Sequence, residues 1–128
     1  MSSELSILAL YGLFIILVVI IQASSNLSQF AINDLIGSRD DLPKLSGVPG
    51  RLERAAHNSV VAMVLFAPAI LILQVKGGFG PNTLMAAQIF LVARIVYVVV
   101  YVTGTPWIRS LVWSCGLFAT AYLYFLAI

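Results

Sequence analysis

Apolar and polar positions alternate along this chain in long blocks. Four apolar runs, at roughly residues 5–30, 51–75, 83–103 and 107–128, are separated by short stretches of glycine, proline and charge. A helix needs about 20 apolar residues to cross a bilayer, so each run predicts one membrane-spanning helix. The longest connection, 34–50, carries Gly37, Asp40, Asp41, Pro43, Gly47, Pro49 and Gly50, which are turn residues. Residues 76–82 and 104–106 predict two tighter turns, with Pro106 suited to the first turn of the fourth helix. Pro68 falls inside the second run and predicts a kink there. The expected fold is all-α and integral to the membrane: a four-transmembrane-helix bundle forming a single domain over residues 1–128.

The polar residues inside these runs are the informative ones, because an unpartnered polar group in hydrocarbon is costly. At 100° per residue Arg51, Arg54 and Asn58 share about a 60° arc at the start of the second run. Gln22, Asn26, Gln29 and Asn33 form a similar stripe on the first, which serves either as hydrogen-bonding glue between helices or as part of a polar ligand site. Arg94 stands about 15 Å from either end of the third run, beyond easy snorkelling, with Tyr97 and Tyr101 on its face. It either ties helices together or binds an anionic ligand. Arg109 and Ser110 occupy the first turn of the fourth run.

Composition agrees with the membrane assignment: 61% of residues are hydrophobic and 9% charged, more apolar surface than a soluble domain of this size can bury. A net charge of +2, scattered along the chain, offers no nucleic-acid surface. Cys115 is the only cysteine and reads as a buried inert thiol; His57, the only histidine, lies about 120° from the Arg51/Arg54/Asn58 face and reads as interfacial. No metal site is expected. The first run lacks a basic leader segment and reads as an uncleaved span. Arg39, Lys44, Arg51, Arg54 and Arg109 fall on one side of the predicted topology and Lys76 alone on the other. The positive-inside rule then places the first and third loops in the cytoplasm and both termini outside. All four polar sets converge on that cytoplasmic half, which describes a basic, aromatic-edged pocket for a small anionic ligand beside lipid.

These residues resemble the MAPEG family, the membrane-associated proteins in eicosanoid and glutathione metabolism. The resemblance rests on Arg54-Ala55-x-x-Asn58 with Leu65-Phe66-Ala67, on Ala93-Arg94-x-x-Tyr97-x-x-x-Tyr101, and on Pro106-x-x-Arg109-Ser110. The loop from Gly37 to Pro43, with Leu45-Ser-Gly47, looks like that of bacterial members, which implies a bacterial inner membrane. The resemblance implies a homotrimer binding glutathione between subunits. Matching positions assign Arg54, Asn58, Arg94, Tyr97 and Tyr101 to the tripeptide, with Gln29 and Asn33 contributed from the adjacent chain. Arg109 matches the thiolate-stabilising arginine and Ser110 an assisting hydroxyl.

The implied activity is a glutathione-dependent transferase or peroxidase acting on lipophilic electrophiles or hydroperoxides, with membrane lipid and a lipophilic small molecule as partners. One position departs from the family pattern. Val61 stands where members commonly carry a glutamate of the glutathione network, and valine accepts no hydrogen bond. The alternative is a non-catalytic subunit of the same fold that binds lipid or serves a larger membrane complex. A proton-coupled drug exporter would need a membrane-embedded carboxylate, and the apolar cores of the four runs hold none.

Overall fold

In the computed structural model the described residues are 3–28 and 46–128. Among them, α1 spans Glu4–Ser25, α2 Gly47–Lys76, α3 Pro81–Thr103 and α4 Pro106–Ala127, with a 3₁₀ turn at Asn26–Ser28 after α1. All four are long and apolar enough to cross a membrane. α2 and α3 each pack on the three other helices, and the α3–α4 contact is the most extensive.

The helix ends follow from local chemistry. α1 starts where the Ser3 hydroxyl accepts from Ser6 N–H at 3.1 Å. It stops at Ser25, five residues short of the predicted boundary at Phe30. There the Ser25 hydroxyl donates to the Gln22 carbonyl at 2.7 Å, and Asn26 follows as the cap. α2 begins four residues before the predicted Arg51, with Gly47 at φ 63° and Pro49 in the first turn, where a missing N–H costs nothing. Pro68 sits inside α2, which runs unbroken to Lys76. Gly77, at φ 65°, closes α2, and the Gly78 N–H returns to the Leu73 carbonyl at 2.9 Å. Gly104 ends α3 in the same left-handed conformation, and Pro106 opens α4.

The core between α1, α2 and α3 is aromatic. Phe66 and Phe90 stack at 3.9 Å and 4°, and Tyr11 meets Phe90 edge-on at 5.0 Å. The Tyr11 hydroxyl donates to the Ser59 carbonyl at 2.8 Å, and Ser59 Oγ donates to the Ala55 carbonyl at 2.8 Å. The end of the bundle opposite the arginines is fastened by two side chains. The Thr83 hydroxyl accepts from the Gly80 N–H at 2.7 Å and donates to the Glu4 carboxyl, joining the starts of α1 and α3. Lys76 Nζ donates to the Ala127 carbonyl at 2.7 Å and caps α4. Glu4 is therefore a buried carboxylate, although the apolar runs were expected to hold none. It escapes that expectation because it lies one residue before the first run.

The outer surface is apolar: Leu13 is 64% exposed and Phe118 71%. Such a surface is unfavourable in water and ordinary in lipid. Cys115 belongs to it. Its thiol is exposed on the outside of α4 rather than buried, because Gly116, Ala119 and Thr120 occupy the inward positions of that helix.

Candidate functional site

Arg51, Arg54 and Asn58 leave one face of α2 at successive turns, and each finds a different partner. Arg51 Nε donates to the Val102 carbonyl at 2.9 Å, holding the last turn of α3. Arg54 Nε donates to the Tyr101 hydroxyl at 3.1 Å. The Asn58 Oδ1 accepts from Arg94 Nη2 at 2.8 Å. One face of α2 is thus spread along the whole basic half of α3.

Tyr101 is the hub of that half. Besides accepting from Arg54, it lies under the Arg109 guanidinium, whose carbon is 4.8 Å from the ring centroid. Tyr97 packs against Tyr101 at 5.6 Å and lies under the Arg94 guanidinium at 4.3 Å. Two tyrosines one helical turn apart therefore organise three arginines drawn from three helices. A cavity of about 310 Å³ is lined by Glu53, Arg54, His57, Asn58, Tyr97 and Tyr101. Its size falls at the lower end of ligand pockets. Its walls can bind a carboxylate through Arg54 and Asn58 and shield it with the tyrosine rings.

Several sequence expectations land differently. His57 lines this cavity, because at 100° per residue it stands about 60° from Arg54, and the pocket covers that adjoining part of α2. Arg94 does not line it. Only 2% exposed, Arg94 faces a second, deeper cavity of about 130 Å³ between α2, α3 and α4. Asn58 lines both cavities, and Val61 lines the deeper one. The Ser110 side chain is exposed and outside both cavity linings; its backbone carbonyl accepts from Ser114 Oγ at 2.9 Å.

Of the stripe on α1, Gln22 donates to Asn26 at 3.3 Å and Asn26 is buried. Because the α-helix ends at Ser25, the first two members pair with each other beside a helix end. Gln29 and Asn33 lie outside the described residues. Trp113 is a lining residue the sequence did not single out: among the aromatics of α4 nothing in its spacing sets it apart.

Four long apolar helices, with a basic and tyrosine-rich cluster at one end, define an integral, multi-pass membrane protein carrying a polar site. Compared with known families, residues 5–128 match the MAPEG family, and the chain belongs to it. It is thereby a membrane protein of the glutathione and eicosanoid metabolism family. Searches of curated proteins and of solved structures gave no match.

Proposed function

We propose that the protein is a glutathione-dependent transferase or peroxidase acting on lipophilic electrophiles or hydroperoxides. The single observation that carries this reading is the pairing of Arg54 and Arg109 on Tyr101 beside the 310 Å³ cavity. Glutathione fits the residues present: it brings two carboxylates, and Arg54 and Asn58 offer N–H donors at the cavity wall. When bound, it supplies the thiol that attacks an electrophile or reduces a hydroperoxide.

The side chains divide that work. Arg54, oriented by the Tyr101 hydroxyl, binds a carboxylate. Arg109, resting on the face of Tyr101, places positive charge where it lowers the pKa of a nearby thiol. Each pKa unit of such lowering corresponds to about 1.4 kcal/mol. Tyr97 and Tyr101 exclude water from the cavity wall. The reading includes a homotrimer in the bacterial inner membrane, with the basic end in the cytoplasm and Gln29 and Asn33 of an adjacent copy closing the site.

The test is a glutathione titration of the purified protein in detergent, followed by conjugation and peroxidase assays. Saturable binding with either activity is the expected result, and no binding at millimolar glutathione removes the enzyme reading. Val61 favours the second reading, a non-catalytic subunit, because it places an apolar side chain beside Asn58 where the family pattern supplies a carboxylate. Binding without turnover of any lipophilic substrate is the result which that reading expects.

A further inference from the structure

Two adjoining rows of α2 line the 310 Å³ cavity. At 100° per residue Glu53 and His57 stand within about 40° of each other, and so do Arg54 and Asn58. The Arg54 row supplies N–H donors. The other row begins with a carboxylate, the only acidic residue of α2 and the only one among the described residues of the cavity wall. Glu53 is exposed, and among the described residues no hydrogen bond or ion pair engages it, His57 one turn on included.

We propose that Glu53 accepts the ammonium of the γ-glutamyl residue, so that Glu53 and Arg54 together hold an α-amino-acid head and set the direction in which the peptide lies. The assignment rests on the glutathione reading and deepens it. The first reason is charge. A carboxylate on the wall of a site for a peptide with two carboxylates repels its ligand, unless the ligand brings a positive group to it. Glutathione carries one such group, the ammonium, on the same carbon as one of its carboxylates.

The second reason is the neighbouring guanidinium. Arg54 uses Nε on the Tyr101 hydroxyl, which leaves its two terminal nitrogens for a carboxylate. As neighbours in sequence, Glu53 and Arg54 stand about 100° apart around α2 and meet the cavity from adjoining sides. An ammonium and a carboxylate on one carbon match that pair. The glycyl carboxylate, which has no ammonium beside it, does not. The γ-glutamyl end therefore lies at Glu53 and Arg54, and the rest of the peptide extends along Tyr97 and Tyr101. The third reason is position 61. Val61 is uncharged and lines the deeper cavity, so Glu53 is the carboxylate that α2 offers to an ammonium.

Isothermal titration of the whole protein in detergent at low salt compares glutathione with two altered peptides. Glutaryl-cysteinylglycine lacks only the ammonium, and the glycyl ethyl ester of glutathione lacks only the glycyl charge. The wild type is expected to bind glutathione about fivefold more tightly than glutaryl-cysteinylglycine, the upper end for a partly exposed ion pair. In Glu53→Gln that preference should shrink to less than about twofold, while esterification costs both proteins the same factor. Glu53 is exposed and unbonded, so this change leaves the fold in place. Equal affinity of the wild type for glutathione and the glutaryl peptide overturns the assignment and leaves the glutathione reading standing. The same preference in both proteins also overturns it, and coupling of Glu53→Gln to the ester instead reverses the peptide. Binding of none of the three peptides removes the glutathione reading together with this assignment.

Discussion

Arg94 donates to Asn58 at 2.8 Å, and Asn58 lines both the 310 Å³ cavity and the deeper 130 Å³ one. The amide thus links a pocket edged by Arg54 and Tyr101 to a deeper one based on Arg94. Its carbonyl is held by the buried guanidinium, which fixes the amide nitrogen's direction as well. Two arginines that look alike in the sequence therefore do different things.

Asn58→Leu removes that link and leaves a buried guanidinium with one bond fewer. The expected cost is about 1.5–3 kcal/mol, the range for a hydrogen bond to a charged group. Thermal unfolding in detergent measures it. Asn58→Asp, which keeps an acceptor and adds a charge beside Arg94, is expected to lose much less.

Tyr101 separates hydrogen bonding from stacking. Tyr101→Phe abolishes the bond from Arg54 but keeps a ring beneath Arg109. Glutathione affinity should fall by a factor of about 5, corresponding to a bond of about 1 kcal/mol. Tyr101→Leu removes the ring too, and should cost a further about 0.5–1 kcal/mol through the loss of the cation–π contact. Isothermal titration of both variants distinguishes the two contributions.

Phe90→Ala tests the aromatic core. It removes the ring stacked on Phe66 and met edge-on by Tyr11, leaving a cavity that these neighbours cannot fill without leaving their rotamers. The expected loss is about 3 kcal/mol or more, read as a lowered midpoint of thermal unfolding.

Val61→Glu should change the deeper cavity and the Asn58 it shares with the 310 Å³ one. The new carboxylate stands beside Asn58 and reaches toward Arg94. It is expected to tighten glutathione binding by about one to two powers of ten, if it restores a charge-assisted bond of about 1.5–3 kcal/mol. In the deeper cavity it supplies an anion beside Arg94, which otherwise bonds only to the neutral Asn58 amide among the described hydrogen bonds. Unchanged glutathione affinity means that position 61 has no part in the glutathione site.

The four helices were legible because each apolar run is bounded by glycine, proline or charge, and those residues do end helices at Gly77 and Gly104 and open one at Pro106. The boundaries near the long connection were not. The Ser25 hydroxyl takes the Gln22 carbonyl, and a hydropathy pattern does not register that competition with the helix. Faces of single helices were also legible: Arg94, Tyr97 and Tyr101 do lie in a contiguous row.

What spacing along one helix does not contain is the crossing of helices. That Tyr101 gathers Arg54 and Arg109, that Arg51 turns to Val102, and that Arg94 opens on a different cavity all depend on how α2, α3 and α4 pack. The exposure of Cys115 has the same origin. α4 presents its small residues inward against α3, which leaves its cysteine outside.

The most direct measurement is the ultraviolet absorbance of the glutathione thiolate during titration into the wild-type protein and into Arg109→Ala. In the wild type a saturable thiolate band should develop at a pH below the free thiol's pKa of about 8.5. In Arg109→Ala the band should fall about tenfold or more, one pKa unit, while the dissociation constant measured by calorimetry changes by less than about threefold. Equal loss of absorbance and of binding would contradict the role given to Arg109, and no thiolate band in the wild type would contradict the glutathione chemistry itself.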